Sequence, residues 1–161
     1  MENKKAIAEL WLRRVLRTYP AQTAEFLASE QDPFRNPVGH ALRESLAILV
    51  DELLLAMNMG PVTAALDSLM QIRAVQDLPP GKALEFLFQL KDILRNQSQD
   101  EDLGLLETRI DELALLAFNL YVQYRERTWE VRANEARRRV YVLERRLQPR
   151  EQAAWQERGD A

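Results

Sequence analysis

The sequence contains no cysteine, one histidine and five glycines. The missing cysteine excludes disulfides, thiolate metal ligands and a cysteine nucleophile, and it fits a reducing compartment. A zinc site made from histidine and cysteine is also excluded by count. The glycines stand singly at 39, 60, 81, 104 and 159, so the chain has no glycine-rich loop that could cradle a phosphate.

The single histidine, His40, leaves little basis for cofactor or catalytic chemistry. A haem globin needs a proximal histidine, and a di-iron bundle needs two Glu-x-x-His motifs. His40 lies four residues before Glu44 near a predicted helix start, which is more typical of a surface or capping residue. The acidic residues between 100 and 112 fit a solvated helix face better than a catalytic pair. We therefore expect no cofactor, no metal and no enzymatic activity.

Long apolar runs are missing as well. The most apolar stretch, residues 45–59, contains Asp51 and Glu52 and is too short to span a bilayer. The N-terminus lacks the apolar run of a signal peptide. The sequence therefore predicts a cytoplasmic protein without membrane insertion.

No segment alternates between apolar and polar residues with period two, whereas helical spacing recurs throughout. The predicted fold class is all-α, with a compact bundle of about five helices followed by one long C-terminal helix. The third helix is apolar around most of its second half, which is typical of a central helix buried on nearly all sides. The five bundle helices are expected at about 3–18, a short one opened by Pro20, 37–58, 61–76, and one opened by Pro80.

The most uniform stretch is the 44 residues from Leu105 to Gln148, which contain neither glycine nor proline. Ser98 and Glu101 match a capping box for its start. A single helix of this length would measure roughly 66 Å, whereas a compact domain of this size is about 40 Å across. We therefore expect its first half to lie in the core and its second half to project. The predicted organisation is an all-α domain at 1–124, a projecting basic helix at 125–148 that serves as coiled coil or linker, and a tail at 149–161.

Two apolar seams run along this stretch, and each advances by steps of four and three residues, as a heptad repeat does. The first seam is predicted to pack on the domain and consists of Leu106, Ile110, Leu113, Ala117, Leu120 and Tyr124. The second seam is out of register with the first and is predicted to form a homodimer. Its residues are Trp129, Ala133, Ala136, Val140, Leu143 and Leu147. A kink or short loop near 124–129 is the alternative to a continuous helix.

The sign of the net charge changes between residues 124 and 125, where the first seam ends. Residues 1–124 carry 12 Lys and Arg and 18 Asp and Glu, a balance of −6, whereas residues 125–161 carry 10 Arg and seven acids, a balance of +3. The arginines could contact nucleic-acid phosphates. Glu135, however, is placed to pair with Arg138 and Arg139, and the whole chain is acidic. A solvated coiled-coil face is therefore favoured over nucleic-acid binding.

The most distinctive stretch of the first half is Asp-Pro-Phe-Arg-Asn-Pro-Val-Gly at 32–39, which contains two prolines. Asn36 is a good N-cap and Pro37 a good first helical residue. Arg73 should be partly buried, with Asp77 four residues on, and we predict that it ties the loop at 34–36 to the fourth helix. A surface ion pair is the alternative. The candidate structural or partner-binding residues are Phe34, Arg35, Asn36, Arg73 and Asp77.

Several ordered motifs between Ala6 and Arg95 match a known pattern. They are Trp11, Tyr19-Pro20, Phe26-Leu27, the stretch at 32–39, Ile-Arg-Ala-Val-Gln-Asp at 72–77, and Pro80 with Ala83, Phe86-Leu87 and Leu90-Lys91. This segment resembles the N-terminal domain of the stressosome RsbT co-antagonists, of the RsbR/RsbD type. The resemblance implies an all-α, globin-like bacterial signalling domain without haem, which works as a dimer.

In that family a long linker helix passes the signal to a C-terminal STAS phosphoacceptor domain. The long helix is present here, whereas 161 residues leave no room for a STAS domain, so a stand-alone relative is expected. The predicted function is a non-enzymatic module that dimerises and presents a docking surface to a regulatory protein. The alternatives are a nucleic-acid-binding helical protein and a cofactor-binding globin-like sensor.

Overall fold

The computed structural model describes the backbone of residues 2–97 and 103–159 and the side chains of residues 3–97 and 103–147. Within these residues every regular element is a helix, which confirms the predicted all-α class. The capping box predicted from Ser98 and Glu101 lies outside the described residues. The helices are α1 (Glu2–Leu16), α2 (Ala21–Ser29), α3 (Pro37–Leu54), α4 (Met59–Val75), α5 (Pro80–Gln97) and α6 (Leu103–Gly159).

Helix α1 packs on α3 and α5 through one apolar face. Ile7, Trp11 and Val15 recur every fourth residue and are buried. The Trp11 ring stacks on Phe86 with 5.6 Å between the ring centroids, and its Nε1 donates to the Phe86 carbonyl at 2.7 Å. A buried indole with its N–H satisfied contributes apolar area without a desolvation penalty. This contact fixes the end of α1 against α5.

Helix α3 lies at the centre of the bundle, as predicted, and packs on α1, α2 and α4. It begins as the sequence predicts: Asn36 is the N-cap, and Pro37 is the first helical residue. Its core-facing residues include Leu42, Leu46, Leu49 and Leu53, all of which are buried.

The prediction that the third helix runs to Asn58 is wrong, because α3 ends at Leu54. Met57 has a positive φ of 52°, and Asn58 instead caps α4 by accepting from the Gly60 amide at 3.4 Å. Arg109 of α6 donates from Nη1 to the carbonyl of Leu53 at 2.6 Å. A side chain 56 residues distant therefore satisfies the end of α3, which local spacing could not reveal.

The starts of three other helices can be compared with the prolines that were predicted to open them. Helix α5 begins at Pro80, as predicted. Helix α4 begins at Met59, two residues before the predicted Pro61, because its cap is Asn58. Pro20 occupies the N-cap of α2, one position before the predicted one.

The first part of α6 completes the core. Leu106, Ile110, Leu113 and Ala117 of the first seam are buried, as predicted. Tyr121 lies beside the seam, is 1% exposed, and donates its hydroxyl hydrogen bond to the Leu78 carbonyl. The remaining two seam residues, Leu120 and Tyr124, are half-buried, and the Tyr124 hydroxyl lies 2.9 Å from both carboxylate oxygens of Asp67. Hydrogen bonds from α6 thus reach α4 and the turn that precedes α5.

The backbone is helical through residues 124–129, so the alternative of a short loop there is wrong, whereas the kink stays a prediction. Helix α6 continues to Gly159. Contacts divide the chain into two units, Met1–Tyr124 and Arg125–Ala161. A separate role for residues 149–161 as a tail stays a prediction.

Candidate functional site

The turn between α2 and α3 is held by its own polar side chains. Asn36 is 2% exposed, and its Nδ2 donates to the carbonyls of Leu27 at 3.2 Å and Glu30 at 2.9 Å. Its Oδ1 accepts from the amide of Gly39 at 2.8 Å. Asn36 therefore caps the start of α3 and satisfies the end of α2 at once, so the turn is a defined structure rather than a loose loop.

Gly39 is required where it stands. A Cβ atom at this position would lie 2.2 Å from Nδ2 of Asn36. No side chain fits at that distance, and Asn36 has no room to retreat because its amide is bonded on both sides. The glycine is thus part of the cap.

The same turn presents Phe34 to solvent. The Phe34 amide donates to Oδ1 of Asp32 at 2.9 Å, and the Asn36 amide donates to the Asp32 carbonyl at 2.8 Å. These bonds form a tight turn in which Phe34 is 95% exposed. Arg35 beside it pairs with Glu30, with 3.3 Å between Nη1 and Oε2. A fully exposed phenylalanine on a rigid turn is a candidate partner contact.

An apolar groove of about 560 Å³ lies next to this turn, between α2, the start of α3 and the end of α4. Three of its lining residues are exposed apolar side chains: Phe26 at 47%, Val38 at 37% and Val75 at 73%. Arg35 is the charged residue of the lining. Sequence reasoning missed this groove, because helical spacing predicted that Val38 and Val75 face inward, whereas both are exposed.

The structure corrects the predicted partner of Arg73. Its side chain is 1% exposed, so burial of the stem is confirmed and the surface ion pair is excluded. Its Nη1, however, donates to Oγ1 of Thr18 in the α1–α2 turn at 2.8 Å. The guanidinium carbon lies 5.2 Å from the ring centroid of Phe86 and 6.0 Å from that of Tyr19. Burial lowers the pKa of Arg73, because removing the cation from water disfavours its charged form.

The physical reason for this correction lies in what surrounds the guanidinium and the loop. The carbonyl of Asn36, one of the acceptors in the loop at 34–36, already accepts from the His40 amide at 3.0 Å as α3 begins. The aromatic faces of Phe86 and Tyr19 offer the guanidinium a different site.

Asp77 occupies the turn between α4 and α5 with a positive φ of 57°. Aspartate tolerates this left-handed conformation better than most residues. The sequence predicted that Asp77 holds the guanidinium of Arg73, whereas Arg73 donates to Thr18, and the backbone shows that Asp77 turns the chain after α4.

The second seam lies wholly in the unit Arg125–Ala161. Every residue from 129 to 147 is exposed. Arg139 pairs with Glu135 one turn away, as the charge pattern predicts. This pair supports a solvated helix face. The large seam residues are exposed as follows: Trp129 60%, Val140 53%, Leu143 58% and Leu147 55%, with Ala133 and Ala136 also exposed.

His40 is at the surface, where its Nε2 lies 3.5 Å from a carboxylate oxygen of Glu44. Within residues 3–97 and 103–147, no three His, Asp or Glu side chains gather in the way a metal ion requires. None of the helices in the described part is long and apolar enough to cross a bilayer.

A family model for the N-terminal domain of the RsbT co-antagonist proteins matches residues 5–136. The chain belongs to this family. The match covers α1 from Lys5 onward, all of α2 to α5 and the first 34 residues of α6, so the turn with Phe34, the groove and Arg73 lie within the family domain. No curated protein and no solved structure matches the chain.

Proposed function

We propose that this chain is a non-enzymatic signalling module of the bacterial cytoplasm that dimerises through the second seam and presents a docking surface to a regulatory protein. Membership of the RsbT co-antagonist family supports the signalling class. The exposure of the second seam is the observation that supports dimerisation. Four large apolar side chains at heptad spacing are each more than half exposed, and a contiguous apolar row of this kind is typical of an interaction surface.

The charges that flank the seam favour two parallel copies. With the seam residues at a and d, the g positions are 125, 132, 139 and 146, and all four are arginine. An antiparallel pair would bring these arginines together across the interface. A parallel pair instead places Arg125 opposite Glu130 and Arg139 opposite Glu144 of the second copy, which are attractive g–e pairs. Arg132 opposite Arg137 is the unfavourable contact of the parallel arrangement.

The dimer is tested by replacing Val140 and Leu143 together with glutamate. Two charges at the centre of the seam should give a monomer by light scattering at micromolar concentration. The matched control replaces Val131 and Val142 with glutamate, because these exposed valines lie on the opposite face of the helix and the change in charge is identical. The control should remain a dimer. If the seam variant remained a dimer, the second seam would not be the dimer interface.

The docking surface is proposed to be the groove beside Phe34. It joins a rigidly held, exposed aromatic to an apolar cleft, so it fits apolar side chains of a partner protein. The Phe34→Ser variant should recover less of a partner from the native cell in quantitative pull-down. Phe118→Ser is the control, because Phe118 is a 47% exposed phenylalanine on another helix. Equal recovery by the two variants would place docking on another surface.

A further inference from the structure

Arg73 is a cation buried in the core of the domain. It forms no ion pair among the described residues, and its Nη2 has no hydrogen-bond partner. Glu85 interacts with it electrostatically, but the Glu85 carboxylate pairs with Lys82 at 3.0 Å. Burying a charge without a counter-charge or full hydrogen bonding is costly. The fold therefore retains a cation that its own residues do not neutralise.

A pocket of about 360 Å³ opens on the other side of Thr18, and two further arginines line it. Its lining residues are Arg14, Arg17, Thr18 and Gln89. Nη1 of Arg14 donates to the Gln89 carbonyl at 3.0 Å and lies 3.9 Å from a carboxylate oxygen of Asp92. Arg17 makes no ion pair in the part of the chain that the structure describes. The pocket thus carries two positive charges, with one carboxylate near its edge.

Thr18 joins the pocket to the buried cation. Its hydroxyl donates to the Val15 carbonyl at 2.7 Å and accepts from Nη1 of Arg73 at 2.8 Å. Two more polar atoms in this region are buried without a partner, Oε1 of Gln89 and the hydroxyl of Tyr19. Unpaired buried polar atoms are rare in folded proteins. Nη2 of Arg73 and the Tyr19 hydroxyl are donors, the kind of group that an oxyanion satisfies, whereas Oε1 of Gln89 is an acceptor and needs a donor such as water.

We propose that this pocket binds a small molecule through a phosphate or carboxylate group, with Arg14 and Arg17 as direct donors and Arg73 as the buried positive charge behind Thr18. Guanidinium groups match both oxyanions because their parallel N–H donors meet two oxygens at once. The volume lies in the range of small-molecule sites and exceeds what inorganic phosphate alone would fill. An oxyanion here would contact residues from α1, its following turn and α5, which would make it a stimulus for the signalling domain.

The test uses the full-length protein, titrated separately with inorganic phosphate and with succinate at constant ionic strength maintained with chloride. Binding should be saturable at millimolar concentration, and the amide NMR signals of Arg17, Thr18 and Gln89 should shift. Arg17→Gln should weaken binding at least about tenfold, equivalent to about 1.4 kcal/mol. Arg13→Gln should bind as the wild type does, because Arg13 is a neighbour on α1 that does not line the pocket.

Two variants test the buried charge. Arg73→Met removes the cation and keeps the volume of the side chain, and Thr18→Val removes the hydroxyl between Arg73 and the pocket. Both should weaken oxyanion binding while the variants remain folded by circular dichroism. Tighter binding of phosphate than of succinate would identify a phosphate as the recognised group, and the opposite result would identify a carboxylate.

Three outcomes would overturn the site. They are no saturable binding of either probe, equal weakening by Arg13→Gln and Arg17→Gln, and wild-type binding by both Arg73→Met and Thr18→Val. Ordered water that merely fills the unpaired positions would produce the first of these. Oxyanion binding does not depend on the dimer, so the double variant Val140→Glu, Leu143→Glu should bind oxyanions as the wild type does.

Discussion

Arg73 is buried, yet its contacts lead us to expect a small net contribution of its charge to stability. Its guanidinium donates one hydrogen bond to Thr18 and lies near the faces of two aromatic rings, yet its Nη2 is unpaired. Replacing a buried ionic group with an apolar side chain of similar volume is often neutral or stabilising. A charge retained at such a position is better explained by binding than by folding.

This comparison predicts a difference between two substitutions of Arg73. Arg73→Ala should lower the free energy of unfolding by about 2–4 kcal/mol, because it leaves a cavity in the core. Arg73→Met should change it by less than about 1.5 kcal/mol, because the volume is kept. Urea unfolding of both variants measures the difference. A loss as large for methionine as for alanine would instead assign the guanidinium a structural role.

A second residue-scale prediction concerns Gly39. Gly39→Ala should destabilise the protein by about 1–3 kcal/mol, because the new methyl group collides with Asn36 and disrupts the cap that it provides. Gly81→Ala is the control: an added Cβ there meets no atom within 4 Å, so the change should be neutral or stabilising by up to about 1 kcal/mol. Thermal unfolding compares them. Equal midpoints for the two variants would show that the turn relaxes without loss.

At the scale of elements, α5 and α6 are joined by two surface ion pairs. Nε of Arg95 donates to Oε1 of Glu107 at 2.7 Å, and Nζ of Lys91 lies 2.6 Å from Oδ1 of Asp111. The hydrogen bond from Arg95 holds the pKa of Glu107 below its usual value. A carboxylate whose pKa is depressed on folding stabilises the folded state above its unfolded pKa, and this contribution is lost as the pH falls through the folded pKa.

Glu107→Gln should therefore lower the thermal midpoint slightly at pH 7, in keeping with an exposed pair. The difference from the wild type should shrink as the pH falls below the ordinary range of glutamate and disappear below the depressed folded-state pKa of Glu107, where the carboxylate is protonated in the folded and the unfolded state. Glu112→Gln, an exposed change on the same helix, should show neither effect. A difference that persists in acid would mean that the amide disturbs packing rather than removing an ion pair.

At the scale of the whole molecule, the position of the single histidine argues against haem. His40 lies at the surface in contact with Glu44, where no enclosed site surrounds its imidazole. We expect the purified protein to show no Soret band and no change in its absorption spectrum after reconstitution with haemin. A stoichiometric Soret band that His40→Ala abolishes would contradict this and would favour a cofactor-binding sensor.

Periodicity in the sequence determined most of the fold. Helical spacing of Ile7, Trp11 and Val15 and of the first seam identified buried faces correctly, because a helix must bury its apolar stripe. The cap formed by Asn36 and Pro37 was also predictable, since both residues act within one helical turn. The second seam was visible for the same reason, whereas its partner stays a proposal.

Tertiary structure alone decided the contacts between residues distant in sequence. Arg109 ends α3 from 56 residues away, and Arg73 reaches Thr18 from 55 residues away. The groove exists only because α2, α3 and α4 leave a gap between them, which no local pattern records. Spacing reports which face of a helix is buried. It does not report which polar side chain donates a hydrogen bond to a given carbonyl. Several nearby donors compete for each carbonyl, and the three-dimensional arrangement determines which of them is close enough to bind it.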